Sequence, residues 1–176
     1  MQYIPRKVMR VIFVRHGDHR NNKLTRVGRK QAKLVCHDLR YENIGKVFCS
    51  PCGRAVETAN IISKKLGLDK PIVINALKER EKLEGEPKTM QEIEYMENYL
   101  NPEFSMKHPE GCKEFLERSF KFLEEVAHED FESILIVGHS SFAYALSAYF
   151  VGLNKKGEVS WVRLGNCSKL CYEIVK

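Results

Sequence analysis

The chain has 176 residues, of which 43% are hydrophobic and 30% charged, and this size and composition favour one globular domain over two. No stretch approaches the roughly 20 apolar residues of a membrane-spanning helix, and the apolar run at residues 11–14 is too short for the core of a signal peptide, so a cytoplasmic location is expected. The net charge of +6 favours anionic partners. The cations are scattered rather than gathered in a basic block, which argues against nucleic acid.

Short apolar runs separated by helical patterns predict the secondary structure in chain order. Strands are predicted where the apolar runs are unbroken, as is typical of parallel strands covered on both faces, at residues 8–14, 47–49, 72–74 and 134–137. Helices are predicted from helical spacing and capping residues. They run from Arg26 to about Leu39 after the cap Thr25, through residues 55–66 after the cap Ser50 and the first-turn Pro51, through residues 116–127, and from the cap Ser140 to about Phe150.

The C-terminal segment and the most charged segment depart from this alternation. Residues 159–175 predict two strands around the turn Gly165-Asn166, antiparallel or at an edge of the sheet. The charged stretch at about residues 80–110 is interpreted as an insertion with a helix near residues 89–99.

Alternating strands and helices predict an α/β fold, a three-layer α/β/α sandwich with a mostly parallel central sheet, formed by residues 1–176 as a single domain.

Charged side chains follow the predicted strands at the point where each strand ends. Arg15 and His16 follow the first strand, and Arg54 lies in the first turn after the second. Glu79 follows the third strand and His139 the last. Because ligands bind open α/β sheets outside the carboxyl ends of the strands, we expect these side chains to converge on one edge of the sheet.

These residue types suit the transfer of a phosphoryl group. The transferred group carries negative charge on three oxygens, which arginine forks bind well. A histidine with a free ring nitrogen is a competent nucleophile at neutral pH, and a second histidine, protonated beside the phosphate, can donate to the same oxygens. A glutamate can protonate the leaving oxygen and then activate water. The scheme requires no metal and no cofactor.

Four motifs resemble those of the histidine phosphatase (phosphoglycerate mutase-like) superfamily. They occur in the family's order and are Arg15-His16-Gly17 with Leu24-Thr25-x-x-Gly28-x-x-Gln31-Ala32, Ser50-Pro51-x-x-Arg54-Ala55-x-x-Thr58-Ala59, Leu77-x-Glu79-Arg80, and Gly138-His139-Ser140. Arg-His-Gly alone is a weak signal, but the four together, each at a predicted strand end, are specific. The resemblance implies the phosphoglycerate mutase-like fold.

The resemblance also implies which residues carry out the chemistry. His16 is expected to become phosphorylated. Glu79 is expected to act as general acid and base, with Glu81 and Glu84 as alternatives for the acid.

Other matching residues are expected to bind the phosphoryl oxygens. They are Arg15, Arg54, His139 and Asn22, with Asn21 as the alternative to Asn22. The remaining histidines are expected to be surface residues without a catalytic role, namely His19, His37, His108 and His128.

Two departures from the family's pattern stand out. Seven residues separate His16 from Leu24, where mutases and many phosphatases have a longer, Arg-containing loop, which leaves Asn21 as the alternative to Asn22. The stretch from Glu79 to His139 lacks the larger insertions that enclose a diphosphate in mutases, and this favours a phosphatase. The sequence is therefore interpreted as a small metal-independent phosphatase acting on a phosphorylated small molecule or a phosphoprotein. It is similar to members that dephosphorylate phosphohistidine in proteins. Phosphoglycerate mutase-type phosphoryl transfer is the alternative, and the oligomeric state is left open.

Two other enzyme classes are suggested by short motifs. Cys49 and Cys52 form a Cys-x-x-Cys between a predicted strand and a helix, as in thioredoxin-like thiol oxidoreductases. The phosphatase motif accounts for the same segment, so the cysteines are interpreted as incidental. A further hypothesis is that oxidation of the two cysteines distorts the turn that carries Arg54 and so switches the activity off. Gly138-His139-Ser140 imitates the nucleophile elbow of α/β-hydrolases, but position 142 is Phe and no histidine follows His139, as that class requires.

Overall fold

The computed structural model describes residues 7–80, 112–152 and 164–176. The elements in these ranges, in chain order, are β1 (Val8–Arg15), β2 (His19–Arg20), β3 (Lys23–Leu24), α1 (Arg26–Leu39), β4 (Ile44–Cys49), α2 (Gly53–Leu66), β5 (Ile72–Val73), a 3₁₀ turn (Asn75–Leu77), α3 (Cys112–Ala127), β6 (Ser133–Gly138), α4 (Ser140–Val151) and β7 (Lys169–Val175).

Within the described ranges, five strands form the central sheet, in the order β5-β4-β6-β1-β7. The pairs β1–β6, β4–β6 and β4–β5 are parallel, and β7 is antiparallel to β1. The prediction of a mostly parallel α/β sheet with an antiparallel C-terminal strand is therefore confirmed. The strand β4 begins at Ile44, three residues earlier than predicted. The prediction missed this start because Gly45 and Lys46 interrupt the apolar pattern. The pairing with β6 is irregular at the same point.

Apolar side chains cover both faces of the sheet, which gives the predicted three layers. Along β1, Met9, Val11 and Phe13 belong to one buried cluster and Ile12 and Val14 to another, because successive side chains of a strand point to opposite faces. The first cluster includes buried residues of α3 and α4, and the second includes those of α1 and α2. Burying both faces explains the continuous apolar runs within these strands, at residues 11–14, 47–49 and 134–137.

Of the three helix caps predicted from the sequence, one is confirmed and two are wrong. Thr25 caps α1 as predicted, its hydroxyl accepting from the Gly28 N–H at 3.0 Å. Ser50 does not cap α2, which begins at Gly53 after Cys52, and Pro51 is not helical. Ser140 is the first residue of α4 rather than its cap.

The remaining predictions concern the apolar helix α4, the insertion, the first C-terminal strand and the domain organisation. The apolar helix α4 is buried from residue 141 to 148, which favours burial over a subunit contact for most of its length. The predicted insertion at about 80–110, its helix near 89–99 and the first of the two C-terminal strands lie outside the described residues, apart from residues 80 and 164. A single-domain organisation stays a prediction. None of the described helices is long and apolar enough to cross a membrane.

Candidate active site

The carboxyl ends of three adjacent strands carry the predicted site residues. His16 follows β1 and His139 follows β6, and the His16 backbone N–H donates to the Gly138 carbonyl at 2.9 Å. Ser50 follows β4, and its N–H donates to the Val137 carbonyl at 3.0 Å. Because β4, β6 and β1 are neighbours in the sheet, these hydrogen bonds hold the ends of the strands side by side, and the first turn of α2 places Arg54 above them.

The Arg54 guanidinium contacts four other predicted site residues. Its Nε donates to His16 Nε2 at 3.0 Å, and its Nη1 donates to Asn22 Oδ1 at 3.1 Å. Its Nη2 forms an ion pair with the Glu79 carboxylate and lies 3.1 Å from His139 Nδ1. The structure thus brings His16, Asn22, Glu79 and His139 together around one cation.

The ring of His16 is held in one tautomer by its two nitrogen contacts. Nδ1 lies 2.9 Å from the Gly17 carbonyl oxygen, which only accepts hydrogen bonds, so Nδ1 carries the proton. Nε2 then presents its lone pair toward Arg54. Burial lowers the pKa of His16 to about 3, the Gly17 hydrogen bond opposes this shift, and the charges of Arg54 and Arg15 add to it. His16 is therefore a neutral imidazole with an unprotonated Nε2.

His139 is fully buried and is also neutral in this state. Burial, followed by the charge of Arg54, lowers its pKa to about 2. Its Nδ1 accepts from Arg54, so its Nε2 carries the proton and donates to Ser50 Oγ at 2.7 Å. The Ser50 hydroxyl also accepts from the Cys52 N–H at 3.3 Å. The serine predicted as a helix cap thus orients the second histidine.

Glu79 and Arg15 approach the same cluster from different segments. Glu79 follows the 3₁₀ turn, is partly exposed, and has Oε2 3.5 Å from His139 Nδ1. Glu81 and Glu84, the alternatives for the acid, lie outside the described residues. The Arg15 Nη1 donates to the Leu164 carbonyl at 2.6 Å, and its positive charge lowers the pKa of both His16 and His139.

A short hairpin, β2–β3, carries Asn22 to Arg54. Asn21 and Asn22 form its two-residue turn with φ of 49° and 60°, a left-handed pair that asparagine tolerates and that matches a type I′ turn. Asn22 Oδ1 faces the Arg54 backbone N at 3.5 Å as well as its side chain. The compact loop thus brings Asn22 into contact with the Arg54 guanidinium.

His19, which we expected to be a surface residue without a role, contacts the predicted nucleophile. Its ring is exposed on one side and stacks on His16, with centroids 4.8 Å apart and planes inclined by 21°. The sequence held only a weak signal for the hairpin and none for the stack: two asparagines tolerate the positive φ angles of a two-residue turn.

The remaining motif residues hold the loop that follows His16. The Gly17 N–H donates to Thr58 Oγ1 at 3.1 Å, and Thr58 Oγ1 in turn donates to the Arg54 carbonyl at 2.7 Å. The Asp18 N–H donates to Gln31 Oε1 at 2.8 Å. Thr58 therefore ties the nucleophile loop to the helix turn that carries Arg54.

The Cys-x-x-Cys pair does not have the environment of a redox motif. Cys49 is fully buried, and burial raises its pKa to about 11, whereas a reactive thiol needs exposure and a lowered pKa. Cys52 precedes α2 and is partly exposed. Both thiols are free, and the arrangement disfavours a thiol oxidoreductase.

The sequence model of the histidine phosphatase superfamily (branch 1) matches residues 11–174. The chain belongs to this superfamily. The Drosophila ananassae mitochondrial serine/threonine-protein phosphatase Pgam5 is 34% identical over 149 residues, which cover 78% of this chain and 49% of that protein. This chain therefore spans about half the length of the Pgam5 relatives it matches. A Hydrogenobacter thermophilus protein, provisionally named phosphoserine phosphatase 2, is 30% identical over 165 residues, or 82% of this chain and 79% of that protein.

Solved structures of histidine phosphatases share the fold. A mycobacterial glucosyl-3-phosphoglycerate phosphatase in complex with VO₃ superposes with a TM-score of 0.75 at 20% identity, covering 92% of this chain and 90% of that one. A phosphoserine phosphatase variant from Entamoeba histolytica in complex with phosphoserine has a TM-score of 0.69 at 18% identity, covering 95% and 94%. The predicted family and phosphoglycerate mutase-like fold are confirmed.

Proposed function

We propose that this histidine phosphatase hydrolyses phosphomonoesters through a covalent phosphohistidine at His16, without a metal. One observation carries the proposal: Nδ1 of His16 is fixed on the Gly17 carbonyl, so its unprotonated Nε2 faces Arg54 at 3.0 Å. His139 and Glu79 contact the same guanidinium. The phosphatase names of the relatives support hydrolysis of a phosphate ester.

Substrate binding would replace the contacts that the site makes with itself. The Arg54 fork now donates to His16, Asn22 and Glu79. Charged phosphoryl oxygens are better acceptors than the His16 nitrogen and the Asn22 amide oxygen, and they compete with the Glu79 carboxylate for the same fork. Once they take these hydrogen bonds, His16 Nε2 is released for attack. Arg15 adds a second charge, and a phosphate dianion beside His139 favours its protonated form, so it then donates to a phosphoryl oxygen.

The chemistry then follows in two displacements. His16 Nε2 forms a bond to phosphorus as the phosphorus–oxygen bond to the leaving group breaks, and Glu79 gives its proton to that oxygen. Water next attacks phosphorus, Glu79 accepts its proton, and the nitrogen–phosphorus bond breaks to release inorganic phosphate.

The substrate is a phosphorylated small molecule or a phosphoprotein. Two relatives carry names that refer to phosphoserine or to serine/threonine phosphoproteins, and we propose an alkyl phosphate of this kind. Phosphoglycerate mutase-type transfer would need a site closed around two phosphates, and residues 81–111, which would decide this, lie outside the described residues. A cytoplasmic location stays a prediction.

The test is hydrolysis of p-nitrophenyl phosphate in EDTA by the wild type, His16→Ala and the matched control His128→Ala, whose histidine is exposed after α3. We expect turnover by the wild type and the control and none by His16→Ala. With ³²P-labelled substrate, an acid-labile phosphoenzyme should be detected on wild-type protein that is quenched during turnover. Equal turnover by His16→Ala, or loss of wild-type activity in EDTA that zinc or magnesium restores, would contradict the proposal.

A further inference from the structure

His19 lies against the nucleophile in a way that the proposed reaction scheme does not use. Its ring is stacked on His16, with centroids 4.8 Å apart. The ring of His139 contacts the same histidine edge-on, at 5.1 Å and 62°. The imidazole of His16 is therefore enclosed by two other imidazoles as well as held at both of its nitrogens.

The hairpin fixes where His19 points. His19 pairs with Leu24 across the two short strands, and Arg20 pairs with Lys23. Because paired residues lie on the same face of a hairpin and successive pairs on opposite faces, His19 shares a face with Leu24, which is buried. Arg20 and Lys23 belong to the opposite, outer face. The hairpin is held at its base by the Thr25 N–H, which donates to the Asp18 carbonyl at 3.0 Å.

The need for such a contact arises when substrate binds. In the free site, Arg54 holds His16 at Nε2 and the Gly17 carbonyl holds it at Nδ1. Nε2 must lose its hydrogen bond to Arg54 before it can attack phosphorus. One hydrogen bond at Nδ1 then remains, and it allows the ring to rock about that contact. A displacement of about 1 Å in a reacting group can lower a rate about 10²-fold.

We infer that His19 is a positioning residue for the nucleophile: its stacked ring keeps His16 Nε2 directed at phosphorus after the substrate has taken Arg54. The inference rests on the proposed phosphohistidine mechanism. It assigns the contribution to the face of the His19 ring and not to its charge.

The charged groups around His19 agree with a contribution from the ring face. Arg54 and Arg15 face it as cations, and Asp18 and Glu79 as acids; burial, followed by Arg54, lowers its pKa. Both stacked rings are therefore neutral at neutral pH. Two neutral imidazoles can stack without charge repulsion, so a phenyl ring, which has a face and no titrating nitrogen, should substitute for His19.

The experiment compares His19→Ala and His19→Phe with the wild type and with His128→Ala. Single-turnover mixing with p-nitrophenyl phosphate measures the rate constant of phosphoenzyme formation, and steady-state assays give KM. We expect His19→Ala to form phosphoenzyme about tenfold or more slowly with KM changed by less than about threefold. His19→Phe should recover to within about threefold of the wild type. Thermal melting confirms that each variant is folded.

Two kinetic outcomes would overturn the inference. A wild-type rate constant in His19→Ala would mean that the stack contributes nothing, and a His19→Phe variant as slow as His19→Ala would assign the effect to the imidazole nitrogens.

A second readout does not depend on turnover and separates this inference from the proposed function. With saturating inorganic phosphate, the ¹⁵N shifts of the His16 ring should show one tautomer in the wild type and in His19→Phe. In His19→Ala both ring signals should broaden as the ring rocks, without a change of tautomer, because the hydrogen bond from Nδ1 to the Gly17 carbonyl remains. Unchanged signals in His19→Ala would overturn the inference even if the wild type formed no phosphoenzyme.

Discussion

At the residue scale, the ion pair between Glu79 and Arg54 would link substrate binding to proton transfer in the proposed mechanism. The carboxylate and a phosphoryl group would compete for the same guanidinium nitrogen. Once the phosphoryl group has displaced it, Glu79 lies beside a negative charge and next to His139, 3.5 Å away. This position supports the proposal that Glu79 gives its proton to the leaving oxygen.

Replacing Glu79 by Gln should slow poor leaving groups more than good ones. Alkyl phosphates need the proton, and general acid catalysis contributes about 10²–10⁴-fold, whereas p-nitrophenolate leaves without it. The loss of the ion pair with Arg54 affects both substrates equally, so the ratio isolates the proton. The measurement is kcat/KM for phosphoserine and p-nitrophenyl phosphate in the wild type, Glu79→Gln and the control Glu129→Gln. Equal slowing of both substrates would assign the acid to another residue.

The two buried histidines should make the fold sensitive to mild acid. The pKa of His16 is lowered to about 3 and that of His139 to about 2, in each case mainly by burial, against an ordinary value of about 6.5. Between these values the unfolded chain binds protons that the folded protein does not. Stability from these two groups is thus fully present above about pH 6.5 and falls as the pH drops toward 3.

A variant that lacks one of these histidines should lose less stability in acid. We expect the free energy of unfolding of His139→Gln to decrease less between pH 7.5 and pH 5 than that of the wild type, measured by urea denaturation at both values. His128→Gln, which removes an exposed histidine, should follow the wild type. An identical decrease in all three proteins would mean that His139 is not buried as a neutral group.

At the element scale, the first turns of α1 and α2 pack directly on the loop that follows His16. A Cβ atom at Gly28 would lie 2.0 Å from the Asp18 carbonyl oxygen, and one at Gly53 would lie 2.7 Å from the Asn22 carbonyl oxygen. These distances are too short for any side chain. Backbone therefore packs on backbone at both helix starts, and the position of the loop depends on both helices.

Gly28→Ala should therefore displace the nucleophile loop. We expect a loss of about 1–3 kcal/mol in the free energy of unfolding and a fall in kcat/KM of about tenfold or more, since His16 and His19 flank the displaced segment. Gly67→Asn is the matched control, because Gly67 ends α2 in a left-handed conformation with no atom within 4 Å of an added Cβ, and asparagine tolerates it. A fully active Gly28→Ala protein would show that the loop adapts.

The strands and helices that the sequence predicted correctly are those with a clear hydrophobic pattern. Unbroken apolar runs identified β1 and β6, and helical spacing identified α1 and α2, because burial on both faces or on one stripe determines them. The start of α2 was missed since Ser50, a good cap, instead hydrogen-bonds to His139 across the sheet. The hairpin was missed because two strands of two residues each have no periodicity to detect.

At the scale of the whole molecule, strand order explains why most of the site was predictable. With β6 between β4 and β1, residues far apart in the chain end at adjacent points of one edge, so locating the strand ends also located His16, Arg54 and His139. The contacts within that edge were not predictable. Sequence spacing does not reveal that one arginine contacts both histidines, or that His19 stacks on His16.

Phosphate binding at the cluster around Arg54 should increase the thermal stability of the whole fold. Anions that bind only the folded protein stabilise it by about 2.7 kcal/mol at 100 times their Kd, which for a chain of this size raises Tm by about 5–10 °C. We expect inorganic phosphate in EDTA to raise the wild-type Tm in this way, relative to chloride at equal ionic strength. Arg54→Ala should lose the increase, and Arg26→Ala, which removes an exposed cation at the start of α1, should keep it. The same increase in Arg54→Ala would mean that phosphate binds elsewhere on the cationic surface, and the cluster around Arg54 would then not be the phosphate site.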